Sequence, residues 1–174
     1  MRTTILMEFS TDTEKFLITS RKAYYKFQTQ QIPFAAVKIY FSGLNGERTK
    51  VDDIVGNNFR SEKDAILKTE NNYSILMHNS SCTAAEAVMN RISEKLSRLR
   101  CESKKISETN QLNAYACIYG AGEKRAELQF RHLDLINPSE NKNTSKKNQP
   151  NIREYLRWAQ PIGVKKYRSF SIKV

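Results

Sequence analysis

The chain is poor in the residues that most metal and cofactor sites are built from. It has two histidines, His78 and His132, and three cysteines, Cys82, Cys101 and Cys117, with no Cys-x-x-Cys spacing. That pattern argues against a Cys/His zinc site and for reduced thiols rather than a disulfide framework. No run of about 18 apolar residues occurs, so no membrane-spanning helix is expected. The apolar segment near Met1 is too short for a signal peptide, and a cytoplasmic protein is expected. No Ser/His/Asp constellation, phosphate-binding loop or metal cluster is visible. The lone Gly120-Ala121-Gly122 has no third glycine and opens no helix of a βαβ unit, so it reads as a hairpin turn. No cofactor is expected, and nothing in the sequence demands an enzyme.

What is present is a modest core and an excess of positive charge. The 174 residues are 39% hydrophobic, enough for one domain and a tail. The formal net charge is +11, unevenly placed. Residues 137–174 hold nine Lys and Arg against two Glu, a net +7. Residues 1–136 hold twenty against sixteen acidic residues, a net +4. We therefore divide the chain into a globular part, 1–136, a polar linker, 137–151, and a basic aromatic tail, 152–174.

The strongest local pattern runs from Asp64 to Leu99. Asp64 to Thr69 is strand-like, and Glu70-Asn71-Asn72 is a turn signal, because Asn tolerates positive φ. Tyr73 to Met77 is a second apolar strand. Thr83 stands three residues before Glu86, the spacing of a capping box. Ala85, Val88, Ile92, Leu96 and Leu99 then recur at steps of three and four, one stripe of a helix. Upstream, Thr11 and Glu14 have the same capping spacing and open a helix that carries Phe16, Leu17, Ser20, Tyr24 and Phe27 on one side. Pro33 ends it. Phe34 to Phe41 alternates as a strand, with Ala35, Val37, Ile39 and Phe41 on one face and Phe34, Ala36, Lys38 and Tyr40 on the other. Val51 to Gly56 gives one or two helical turns. Leu112 to Tyr119 reads as a further strand. Ala126 to Leu133 is read as another by its alternation; a helix with Leu128, Leu135 and Ile136 on one side is the alternative. The expected fold is α+β, a ferredoxin-like antiparallel sheet packed with helices.

The stretch from Asp64 to Leu96 resembles the core of a GGDEF domain, the diguanylate cyclase family. Thr69-Glu70-Asn71-Asn72-Tyr73 sits where the family's signature turn belongs, and Tyr73 keeps its aromatic. Ser74-Ile75-Leu76-Met77 and Ala84-Ala85-Glu86-Ala87-Val88 follow in the family's rhythm. The resemblance implies a metal-binding aspartate in the first strand, where this chain has Lys38 and Tyr40. It implies an acidic pair at the turn, where Asn71 and Asn72 stand beside Glu70. Mg²⁺ held by carboxylates against a triphosphate is the chemistry such a site would need, and Lys38 reverses the required charge. The family's inhibitory Arg-x-x-Asp binds cyclic di-GMP through the guanidinium fork. Here Arg60 and Asp64 are one residue further apart, and we read them as a pair of surface charges, with a rebuilt site as the alternative. The resemblance thus implies a degenerate, non-catalytic domain whose ligand-facing positions are Lys38, Arg60, Asp64, Glu70, Asn71 and Asn72.

The tail interleaves cations with aromatics: Arg153, Tyr155, Arg157, Trp158, Lys165, Lys166, Tyr167 and Arg168. Trp, Tyr and Arg are enriched at interface hot spots, so these residues are candidates for docking a protein partner. The same composition suits phosphate contact with base stacking, which keeps a nucleic-acid-binding module on a ferredoxin-like fold as the alternative. The expected function is a scaffold or signalling protein that binds a protein partner, with a nucleotide as a further ligand.

Overall fold

In a computed structural model, the structure describes residues 12–43, 46–60, 62–104, 112–121 and 128–136. The tail and its eight docking candidates lie outside these residues, as does the Gly120–Arg125 turn beyond Ala121. Eight elements follow one another: α1 (Thr13–Gln30), β1 (Phe34–Ser42), α2 (Arg48–Gly56), β2 (Ala65–Lys68), β3 (Asn72–His78), α3 (Cys82–Lys104), β4 (Asn113–Ala121) and β5 (Leu128–Asp134). The strands form one sheet in the order β2-β3-β1-β4-β5, every pair antiparallel. The first four strands have ferredoxin-like order, with β5 added at the β4 edge. The strand reading of the last element is therefore the correct one. Leu135 and Ile136, just beyond it, enter the core rather than a helix face.

Alternation along β1 divides the core in two. Ala35, Val37, Ile39 and Phe41 face α2 and α3, and join Val51, Val55, Tyr73, Ile75, Ile92, Leu96 and Ile118. Phe34 and Ala36 face α1, and join Phe16, Ala23, Phe27, Leu67, Leu76 and Tyr119. The sheet is thus covered by helices on both sides. Each fully buried Ile or Leu contributes about 1.5–3 kcal/mol relative to exposure, so the α3 stripe of Met89, Ile92 and Leu96 anchors the larger half. Ser93 reinforces it by donating from Oγ to the Leu135 carbonyl, which ties α3 to the chain after β5.

The starts of α1 and α3 differ from expectation by one or two residues, and α2 begins at Arg48, three residues before Val51. Asp12, not Thr11, caps α1: its carboxylate accepts from the Lys15 amide at 3.0 Å. Asp is among the strongest N-cap residues, and it lies one position nearer the first buried residue, Phe16. At α3 the cap is Ser81 rather than Thr83. Its Oγ accepts from the Ala84 amide at 3.2 Å, and its carbonyl accepts from Ala85 at 3.1 Å. The helix thus begins two residues early, and its first residue, Cys82, is buried at 3% exposure. Helix α1 stops as expected before Pro33, with Gln31 in the left-handed region at φ 56°.

Candidate functional site

The signature-like residues fall on the β2–β3 hairpin. Its strands close at Thr69 and Asn72: the Thr69 amide and its Oγ1 donate to the Asn72 carbonyl at 2.8 and 3.1 Å. The Phe41 amide donates to the Asn71 carbonyl at 2.9 Å, which fixes the tip against β1. Contrary to the turn signal, neither Asn71 nor Asn72 has positive φ. Among the described non-glycine residues, Gln31 and Asn79 do. The turn is held from outside instead, by Arg48 Nη2 donating to the Thr69 carbonyl at 2.6 Å. Glu70 and Asn71 are exposed at the tip.

Beneath the hairpin lies a charge cluster that the sequence reading did not single out. The Asp52 carboxylate accepts from Lys68 Nζ and from the Tyr73 hydroxyl. Arg48 Nε lies 3.6 Å from the same carboxylate, and its guanidinium sits 5.6 Å from the Tyr73 ring centroid. Burial, and then the Asp52 carboxylate, hold the Tyr73 hydroxyl well above the ordinary phenol range. The i, i+4 spacing of Arg48 and Asp52 was the available signal. Its meaning depended on α2 crossing β2 and β3, which no local pattern gives.

On the opposite face of the sheet, register brings Lys38 and Tyr40 beside Ser74 and Asn72. Tyr40 also pairs with Tyr115 of β4, and the two rings stack at 4.7 Å with planes 13° apart. Lys38 Nζ lies 5.0 Å from the Tyr40 ring centroid, a cation–π contact. Lys38, at the middle of β1, thus stands two residues of register from Asn72 and the hairpin.

Arg60 and Asp64 lie elsewhere, at the His78 end of β3. Arg60 donates to Asp64 from its backbone N at 2.9 Å, from Nε at 3.0 Å and from Nη2 at 2.7 Å. Nη2 also reaches the His78 carbonyl at 2.7 Å and Ser80 Oγ at 3.1 Å. The Asp64 side chain is 1% exposed, against 45% for Arg60. This corrects the surface-charge reading: the pair is a partly buried clamp that joins the α2–β2 loop to the β3–α3 loop. The hydrogen bond to Asp64 holds the Arg60 guanidinium still more firmly protonated. Burial lowers the titration of His78, the residue at the end of β3. The six expected ligand-facing positions thus separate into two groups. Four residue steps of strand separate Ser74 from His78, about 14 Å.

Helices on both faces of an antiparallel sheet of this order, with a hairpin at Thr69–Asn72, define a GGDEF-like α+β fold. Comparison with solved structures agrees. The crystal structure of the GGDEF domain of FimX from Pseudomonas aeruginosa matches with a TM-score of 0.51 at 13% identity, over 71% of this chain and 82% of that one. No family model matches the chain, and no curated protein does.

The residues present do not fit the Mg²⁺ that such a fold brings to mind. Of the four positions around the hairpin, Lys38 presents an ammonium, Asn71 and Asn72 offer amides, and Glu70 alone carries a carboxylate. Asp52 lies across the sheet from Lys38 and already accepts from Lys68 and Tyr73. Among the described residues no group of three or more His, Cys, Asp and Glu is placed to hold a metal ion. No helix among them is long and apolar enough to cross a membrane.

Proposed function

We propose that this chain is a degenerate GGDEF-like module that recognises rather than transforms: a non-catalytic scaffold or signalling protein of the cytoplasm that binds a protein partner. The observation that carries this reading is Lys38. Its ammonium stands at the middle of β1, packed over Tyr40 and two residues of register from the hairpin, where divalent-ion chemistry needs negative charge. A fold keeps its sheet, helices and turn when its reactive groups change, and those surfaces remain available for binding. Nucleotide recognition is the second ligand class, at the positions Lys38, Glu70, Asn71 and Asn72. At the other end, Arg60 and Asp64 are engaged with each other, which argues for a structural role there.

The test is incubation of the full chain with GTP and Mg²⁺. No dinucleotide product is expected, and steady formation of cyclic di-GMP would overturn the reading. A thermal-shift titration with GTP and with cyclic di-GMP then separates the ligand classes. A rise in Tm with either supports nucleotide recognition, and no shift at millimolar ligand leaves the protein partner alone. The nucleic-acid alternative rests on the net +7 of residues 137–174. It requires filter-binding affinity that falls steeply with salt, and a flat response dismisses it.

A further inference from the structure

Helix α1 packs one side on the sheet and turns the other to solvent. Its inward stripe is Phe16, Ser20, Ala23 and Phe27. Its outward side carries an unexpected feature. Among the described residues, two large apolar side chains are exposed, Ile18 at 44% and Tyr25 at 64%. Both lie on this one helix, seven residues apart, so they stand on one line about 10 Å apart along the axis. Isolated exposed apolar residues are ordinary, but the coincidence of both on one face is not expected from scatter.

The surroundings of this line are basic. Helix α1 carries Lys15, Arg21, Lys22 and Lys26 against the single Glu14, a net +3. Among the described residues none of Lys15, Lys22 and Lys26 forms an ion pair. Lys15 and Lys22 flank the Ile18–Tyr25 line at steps of three or four.

We infer that the outer face of α1 is a docking surface for an acidic amphipathic helix of a protein partner, with Ile18 and Tyr25 as its anchors and Lys15, Lys22 and Lys26 as its charged rim. This deepens the protein-binding reading proposed above and rests on it. Charge complementarity selects the partner. A second copy of this helix would set a net +3 against a net +3, so self-association through this face is disfavoured. An anionic membrane calls for a broad apolar face, and the broad apolar face of α1 is already buried in the sheet. A nucleic-acid backbone would engage the lysines and leave Ile18 and Tyr25 without apolar surface to cover. A helix with a Leu stripe flanked by Glu satisfies both sets.

The experiment uses the full chain and three fluorescent synthetic helices, read by anisotropy. The first has a Leu stripe flanked by Glu, the second the same stripe flanked by Lys, and the third the Glu flanks with Ser in the stripe. A labelled duplex DNA is the fourth probe. The first helix should bind and the other two should not. The double substitution Ile18→Ser/Tyr25→Ser should weaken that binding by about tenfold or more, with circular dichroism and Tm unchanged because both side chains are solvated. The charge reversal Lys15→Glu/Lys22→Glu/Lys26→Glu should transfer preference to the Lys-flanked helix. Equal binding of all three helices overturns the inference, as does binding insensitive to Ile18→Ser/Tyr25→Ser. Tight DNA binding that the Ser variant leaves intact also overturns it, in favour of a phosphate-binding face. GTP turnover by the same preparation would refute the non-catalytic reading and leave the α1 result standing. Failure of the helices to bind, without turnover, would remove this surface alone.

Discussion

Replacing Arg60 by alanine should be among the most damaging single changes outside the apolar core. The Asp64 carboxylate is almost wholly enclosed and accepts three hydrogen bonds from Arg60, two of them from the guanidinium. In Arg60→Ala only the backbone donor remains. Removing one partner of a buried pair costs about 3–5 kcal/mol, because the other charge stays buried and uncompensated. The outer half of Arg60 is in solvent, so water can reach part of the vacated space, and we lower the figure to about 2–3 kcal/mol. Nη2 also bridges the His78 carbonyl and Ser80 Oγ, so the loss spreads to the start of α3. With a urea m-value of about 2 kcal/mol/M, the unfolding midpoint should fall by roughly 1–1.5 M at constant m. Arg60→Lys keeps the charge but not the planar fork, and should fall between the two. A midpoint within about 0.3 M of the parent for Arg60→Ala would refute the clamp, since a loss that small belongs to an exposed pair.

Two further outcomes test the packing. The Tyr73 hydroxyl is held above its ordinary value of 10.0 by burial and by Asp52, so its contribution to stability is intact below pH 10.0 and is lost as pH rises through the folded value. Tyr73→Phe should flatten the alkaline loss in pH-dependent urea unfolding, at a cost of about 1 kcal/mol at neutral pH; an unchanged alkaline slope would count against the Asp52 contact. At Gly120 a Cβ would lie 2.6 Å from Cys82 Sγ and 3.1 Å from the Phe34 carbonyl oxygen. Gly120→Ala should therefore destabilise by about 1–3 kcal/mol, and Cys82→Ala in the same chain should recover part of it, both read from Tm.

The fold was legible where side chains alternate or recur under strong burial. Phe34 to Phe41 announced β1 because its two faces meet two different cores. Ile92, Leu96 and Leu99 announced α3 because their spacing allows one buried stripe. Helix starts were displaced because neighbouring residues compete as caps: Thr11 with Asp12, and Thr83 with Ser81. The hairpin was placed correctly for a partly wrong reason. Its asparagines do not take positive φ, and Arg48, remote in sequence, holds the Thr69 carbonyl. The clamp was misread for a similar cause. Spacing shows that Arg60 and Asp64 can meet, but only the fold shows that Asp64 is enclosed and that Arg60 also reaches His78 and Ser80. Asp52 went unnoticed because its partners, Lys68 and Tyr73, lie on strands beyond the helix that carries it. The stack of Tyr40 on Tyr115 needed the β1–β4 register.

Pyrophosphate release from GTP by the full chain, with Mg²⁺ present, tests the central claim most directly. With an ammonium at Lys38 and amides at Asn71 and Asn72, the trace should stay flat at every protein concentration. Release in proportion to the protein added would contradict it.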